Sequence, residues 1–167
     1  MFLVGFMGSG KSSVGHELAR RLHWDFVDLD GCIESREGKT IAEIFRDEGE
    51  PAFRAKETAT LEELTISLTH NSVVALGGGA FVHPQNRALI GAWPSVFLQA
   101  PVDELWRRSE QDQGLRPLRR DRDQFARLHA ERLPHYRRSN VTINTAGKDV
   151  TSVCVEIEKA LRLAGPA

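Results

Sequence analysis

The chain is 167 residues long, 41% hydrophobic and 27% charged, which suits one soluble globular domain that needs neither disulfides nor a structural metal. Its net charge of -1 argues against a general nucleic-acid binder, and no apolar run approaches the roughly 18 residues of a membrane span. Cys32 and Cys154 form no CxxC pair and no metal-ligand cluster, so they read as reduced core thiols of a cytoplasmic protein.

The N-terminus is apolar but is broken at Gly5 and lacks a charged leader, so Phe2–Val4 reads as a buried strand. Lys11–Leu22 reads as a helix, with Val14, Leu18 and Leu22 one turn apart on one face. Trp24–Val27 is a second strand, and Ile33–Asp47 and Pro51–Leu68 carry helical patterns. Val73–Leu76 is a third strand that ends at three glycines. Pro84–Ile90 is a short helix, Val96–Gln99 a fourth strand, and Pro101–Arg108 a helix with proline tolerated in its first turn. Val141–Asn144 is the fifth strand, and a last helix places Val150, Val153, Cys154, Ile157 and Leu161 on one face. No repeat, low-complexity tract or linker interrupts this order, so residues 1–167 read as one unit.

Strand–helix alternation predicts an α/β protein with a parallel sheet covered on both faces. Ligands then bind at the carboxyl ends of the strands, and every candidate motif falls on such an end. Charge is uneven: residues 107–138 hold ten arginines and five acids. That stretch is either a solvated helical face or an anion-handling segment over a phosphate site.

Gly5-Phe6-Met7-Gly8-Ser9-Gly10-Lys11-Ser12 supplies such a site, since it fits G-x-x-x-x-G-K-[ST] between a strand and a helix. Its glycines let successive N–H groups point at phosphate oxygens, and the helix start adds partial positive charge. Lys11 can reach the β- and γ-phosphates of a nucleoside triphosphate, and Ser12 can offer a hydroxyl to Mg²⁺.

Asp28-Leu29-Asp30 follows the second strand. In an extended segment the two carboxylates share a face and can divide labour between a metal and an acceptor hydroxyl. The alternative is that Asp30 caps the helix near Ile33. Arg54 stands near a helix start, where its charge opposes the dipole and a bound carboxylate would stabilise it. Gly77, Gly78 and Gly79 at a strand end mark either a loose hinge or a ligand that approaches the backbone closely. With Arg116 and Arg132 in the basic segment, these residues point to a small anionic acceptor gripped by arginines and oriented by an aspartate.

From Phe2 to Leu163 the chain resembles the shikimate kinases, P-loop enzymes related to nucleoside monophosphate kinases. The resemblance rests on Asp28-x-Asp30, Ile33-Glu34, Gly38, Ile41, Ile44-Phe45, Gly49-Glu50, Phe53-Arg54 and Glu57, then on Val73 through Gly79, Arg116-Pro117-Leu118 and Arg132-x-x-x-Tyr136. It implies a three-layer P-loop kinase fold with a five-stranded parallel sheet of order 2-3-1-4-5, a substrate-binding region near residues 31–62 and a lid near 109–121. It implies ATP-dependent phosphorylation of the 3-hydroxyl of shikimate, with Mg²⁺ as cofactor. Composition adds its own expectations: cysteine usage points to the cytoplasm, the lack of an extended apolar surface stripe to a monomer, and the near-neutral charge and short apolar runs to a protein that binds neither nucleic acid nor membrane.

By the same resemblance, Gly8, Ser9, Gly10, Lys11, Ser12 and Ser13 cradle ATP, and Ser12 and Asp28 stand at the metal. Asp30 holds the acceptor hydroxyl and acts as its base. Arg54 and Arg132 bind the shikimate carboxylate, while Gly77, Gly78 and Gly79 offer backbone donors. Arg116 comes down with the lid onto the transferred phosphate, and Arg108 and Thr145–Lys148 lie toward the adenine.

Two features depart from the pattern. No aspartate follows the third strand, and Arg119 and Arg120 extend the lid's charge. His16, His23, His70, His83, His129 and His135 lack metal-ligand spacing and read as surface or capping residues, and Trp24, Trp93 and Trp106 as packing anchors. Glu57 is placed to brace Arg54 one turn away. Rival readings are a gluconate or nucleoside monophosphate kinase, which a panel of acceptors would separate, and a nucleotide-binding module without turnover, which would lack Lys11, Asp30 or Arg116.

Overall fold

A computed structural model describes residues 1–111 and 121–163. Five short strands form one parallel sheet: β1 (Phe2–Val4), β2 (Asp25–Asp28), β3 (Ser72–Ala75), β4 (Ser95–Gln99) and β5 (Val141–Asn144). Their order is β2-β3-β1-β4-β5, the order the resemblance implies. Phe2 stands in register with Val74 on one side and Ser95 on the other, which makes β1 the central strand.

Residue alternation along the strands divides the core in two. Phe2, Val4, Val74 and Phe97 face one cluster, covered by α2 (Leu29–Glu37), α3 (Ile41–Ser67), α4 (Pro84–Leu89), α5 (Val102–Gln111) and α6 (Arg122–Tyr136). Leu3, Val73, Val96 and Leu98 face the other, covered by α1 (Lys11–Leu22) and α7 (Val150–Leu161). Burial on both faces explains why the strands read as continuous apolar runs. Trp93 and Trp106 pack edge-on against Phe2 and Phe125, the anchoring role expected of them. Cys154 is buried as expected, whereas Cys32 is only half-buried on α2, and both are free thiols.

The structure corrects the local expectations at several points. Asp28-x-Asp30 is not an extended pair: β2 ends at Asp28, and Asp30 already lies in the first turn of α2. The cap is Asp28 rather than Asp30, because its carboxylate accepts hydrogen bonds from the Asp30 and Gly31 N–H groups. The helix drawn from Ile33 to Asp47 is broken at Gly38, which takes the left-handed conformation at φ 64°. A capping box between Thr40 and Glu43 then starts α3. Gly49, at φ 83°, kinks α3 just before Pro51. Finally, α6 is a helix absent from the sequence expectation, because Pro134 and a weakly segregated pattern mask its period.

Among the described residues no helix is long and apolar enough to cross a membrane. Residues 112–120, which hold Arg116, Arg119, Arg120 and most of the expected lid, lie outside the described residues.

Candidate active site

Strand β1 feeds the Gly5–Ser12 loop into α1. Gly8 and Gly10 adopt φ 76° and 86°, where a side chain is strained. A Cβ on Gly8 would also stand 2.5 Å from the Leu105 carbonyl oxygen, so the loop packs against α5 through bare backbone. Gly10 precedes α1 with no side chain to cap it, which leaves first-turn amides open to an anion. Lys11 folds back over the loop, and its Nζ donates to the carbonyls of Gly5 at 2.9 Å and Phe6 at 3.0 Å.

A cleft of about 830 Å³ opens above this loop. Gly8, Ser9, Gly10, Lys11, Ser12 and Ser13 line it, with Asp28, Asp30, Gly77 and Gly78 on the acceptor side. Arg108, Thr145, Lys148, Asp149, Val150 and Val153 line the opposite end. Arg108 is tied there by hydrogen bonds to the Thr145 hydroxyl at 3.2 Å and its carbonyl at 3.1 Å. Asp149 is a lining residue that the sequence reading lacks, and Val150 and Val153, expected on the packing face of the last helix, border the cleft as well. Their position just after the carboxyl end of β5 was the available signal.

Ser12 Oγ donates to Asp28 Oδ2 at 3.0 Å. One hydroxyl and one carboxylate beside a phosphate loop fit Mg²⁺, which takes few protein oxygens and completes its shell with phosphate and water. Among the described residues no cluster of three acids, histidines or cysteines offers a rival metal site.

The acceptor side is assembled around Gly77-Gly78-Gly79. A Cβ on Gly77 would lie 2.6 Å from Asp30 Oδ1 and 3.0 Å from Glu57 Oε1. One on Gly78 would lie 3.5 Å from Arg132 Nη1, and one on Gly79 only 2.4 Å from Arg54 Nη1. Asp30, Arg54 and Arg132 come from three helices and meet on this one turn. The close approach to these glycines is made by the protein's own side chains.

Acids offset the buried cations. Arg54 donates from Nη1 to Glu57 Oε2 at 2.8 Å and from Nη2 to Glu50 Oε1 at 3.1 Å. Burial works against its charge, but Glu57 and Glu50 outweigh that and hold the guanidinium above its ordinary pKa. So the charge that opposes the helix dipole is already compensated within the protein. Glu57 is 1% exposed, and burial pushes its carboxyl upward while Arg54 and Arg132 pull it back in part. Arg132 is buried too, with its guanidinium 5.8 Å from the Phe6 ring centre.

Two expected neighbours stand apart. Arg54 and Arg132 do not line the cleft above the phosphate loop. Arg54 also borders a second groove of about 580 Å³ shared with His83. His83, read as a plain surface residue, sits close enough to Arg54 and Arg132 that burial first, then their charge, lowers its pKa.

Amides and a lysine of the phosphate loop, an acid across the cleft and two arginines on the adjoining glycine turn gather at the carboxyl ends of β1, β2 and β3. They define a P-loop small-molecule kinase. The shikimate kinase family model matches residues 7–162, and the chain belongs to that family. It is 46% identical to a shikimate kinase of Halorhodospira halophila, over 97% of this chain and 93% of that one. Identity to a Thermus thermophilus shikimate kinase is 40%, covering 95% and 88% of the two chains. The structure of Acinetobacter baumannii shikimate kinase in complex with shikimate is similar at a TM-score of 0.90 and 34% identity, over 96% of this chain and 91% of that one. A Sinorhizobium meliloti gluconokinase shares the fold at a TM-score of 0.61 and 19% identity, over 96% and 90% of the chains.

Proposed function

We propose that this chain transfers the γ-phosphoryl group of ATP to the 3-hydroxyl of shikimate, releasing ADP and shikimate 3-phosphate for aromatic amino acid biosynthesis. The observation that carries the acceptor side is the convergence of Asp30, Arg54 and Arg132 on Gly77–Gly79 beside the phosphate loop. Arginine suits the shikimate carboxylate because its planar fork donates paired hydrogen bonds. Arg54 is held by Glu57 and Glu50 before substrate arrives, which lowers the cost of ordering it on binding.

Phosphoryl transfer asks for positioning and charge neutralisation more than covalent chemistry. Asp30 accepts the hydrogen bond of the acceptor hydroxyl and takes its proton as the oxygen attacks phosphorus. Lys11 exchanges the Gly5 and Phe6 carbonyls for β- and γ-phosphate oxygens. Arg116, brought by the lid over residues 109–121, meets the transferred phosphoryl group, and closure excludes water that would hydrolyse ATP. Gly8, Ser9, Gly10 and Ser13 hold the phosphates, and Arg108 lies toward the base. Ser12 and Asp28 would hold Mg²⁺, which neutralises phosphate charge when bound.

Residues 1–167 act as one catalytic unit whose acceptor region spans about 31–62. It works as a cytoplasmic monomer. Ile66 and Val150 are the large exposed hydrophobics among the described residues, too few for an apolar docking face.

A coupled assay across shikimate, gluconate and nucleoside monophosphates tests the assignment. Turnover with shikimate, and saturable shikimate binding that disappears in Arg132→Ala, is the expected result. Equal turnover with another acceptor overturns it.

A further inference from the structure

The carbonyls of the acceptor turn have a complete account. Gly77 O accepts from the Ala80 N–H at 3.1 Å, and Gly79 O from the Val82 N–H at 3.1 Å. Asn86 Nδ2 donates to Ala80 O at 3.0 Å, and Arg87 Nη1 to the carbonyls of Phe81 and Val82. Among the described residues Gly78 O has no backbone donor and is met instead by the Tyr136 hydroxyl at 2.5 Å. Meanwhile, among the described residues, no backbone carbonyl accepts a hydrogen bond from the Gly78 or Gly79 N–H. In a trans peptide the N–H leaves opposite to the C=O, so whatever fixes Gly78 O also aims the Gly79 N–H.

Tyr136 is fully buried on α6, one helical turn beyond Arg132, so the two side chains share a face. Both reach Gly78, one at its carbonyl and the other at the space a Cβ would fill. We propose that Tyr136 is a positioning residue for shikimate: its hydroxyl locks the Gly78–Gly79 peptide against Arg132, so that backbone donors and guanidinium face the acceptor as one rigid unit. This rests on the functional reading above. Burial pushes the Tyr136 hydroxyl up to about 12, so it stays protonated and donating throughout the working pH range.

The test is Tyr136→Phe, which removes one oxygen and keeps the ring. The KM and Kd for shikimate should rise about tenfold while the KM for ATP stays within about twofold, because only the acceptor's donors lose their aim. A purely structural tyrosine would lower Tm and leave the ratio of the two KM values unchanged, and that result overturns the proposal. Tyr136 is the only tyrosine in the chain, so the wild-type protein gives a second readout should the variant not fold. With tyrosine labelled with ¹³C at Cζ, its single resonance should move on adding shikimate and stay put on adding ADP. A resonance indifferent to shikimate overturns the proposal. Wild-type turnover of shikimate, measured alongside, separates the two failures: without it the functional reading falls and takes this role with it.

Discussion

Around Gly5–Ser12 the groups that face the cleft are main-chain amides and one lysine, all within a single turn of sequence. Around Gly77–Gly79 the functional groups are side chains from α2, α3 and α6, brought from distant parts of the sequence onto three glycines; Asp30 lines the cleft, while Arg54 and Arg132 do not. The first wall is fixed by local backbone geometry and suits any polyphosphate. The second is fixed by tertiary packing: Glu50 and Glu57 brace Arg54, and the Tyr136 hydroxyl holds the Gly78 carbonyl. Generic affinity and particular recognition therefore have separate physical sources, and substitutions should separate them.

The largest expected effect lies where the walls meet. Asp30→Asn keeps the shape but removes the proton acceptor, so kcat should fall by about 10²–10⁴ while Kd for ATP changes little. A loss confined to KM would place Asp30 in binding alone. Next is Gly8→Ala, whose methyl would collide with the Leu105 carbonyl at 2.5 Å. By displacing the loop it should raise the KM for ATP by about 10², with shikimate affinity measured without nucleotide unchanged.

On the other wall, Gly79→Ala drives a methyl into Arg54 at 2.4 Å. Arg54→Lys removes the fork that Glu57 and Glu50 hold. Each should raise the KM for shikimate about tenfold and leave that for ATP within about twofold in steady-state kinetics. Equal losses for both substrates would erase the distinction between the walls.

The smallest effect concerns His83, whose pKa is lowered by burial and by Arg54 and Arg132. The folded protein favours the neutral ring, so this contribution to stability is present above about pH 6.5, the ordinary histidine value, and is lost as pH falls through the lower folded value. Shikimate brings a carboxylate to the same arginines and should raise the His83 pKa, whereas ATP alone should leave it. Histidine NMR titrations with and without each ligand check this.

Much was legible in the residues because it is local. Glycines in G-x-x-x-x-G-K-S define a loop by what backbone they permit, and apolar runs at Phe2–Val4 and Val96–Gln99 define buried strands by what they must cover. Lys11–Leu22 was readable to the residue, since one face carries Val14, Leu18 and Leu22. The acceptor residues were named through family resemblance, and their types fitted an anion site. Sequence did not say that Arg54 is already compensated, that Asp28 is the cap, or that Gly78 O answers to Tyr136. Each depends on which distant side chain arrives, and helix packing alone settles that. Short-range stereochemistry thus determined the phosphate loop and the strand order's raw material. Long-range convergence decided the acceptor pocket, because a buried charge is tolerable only where another part of the chain supplies its partner.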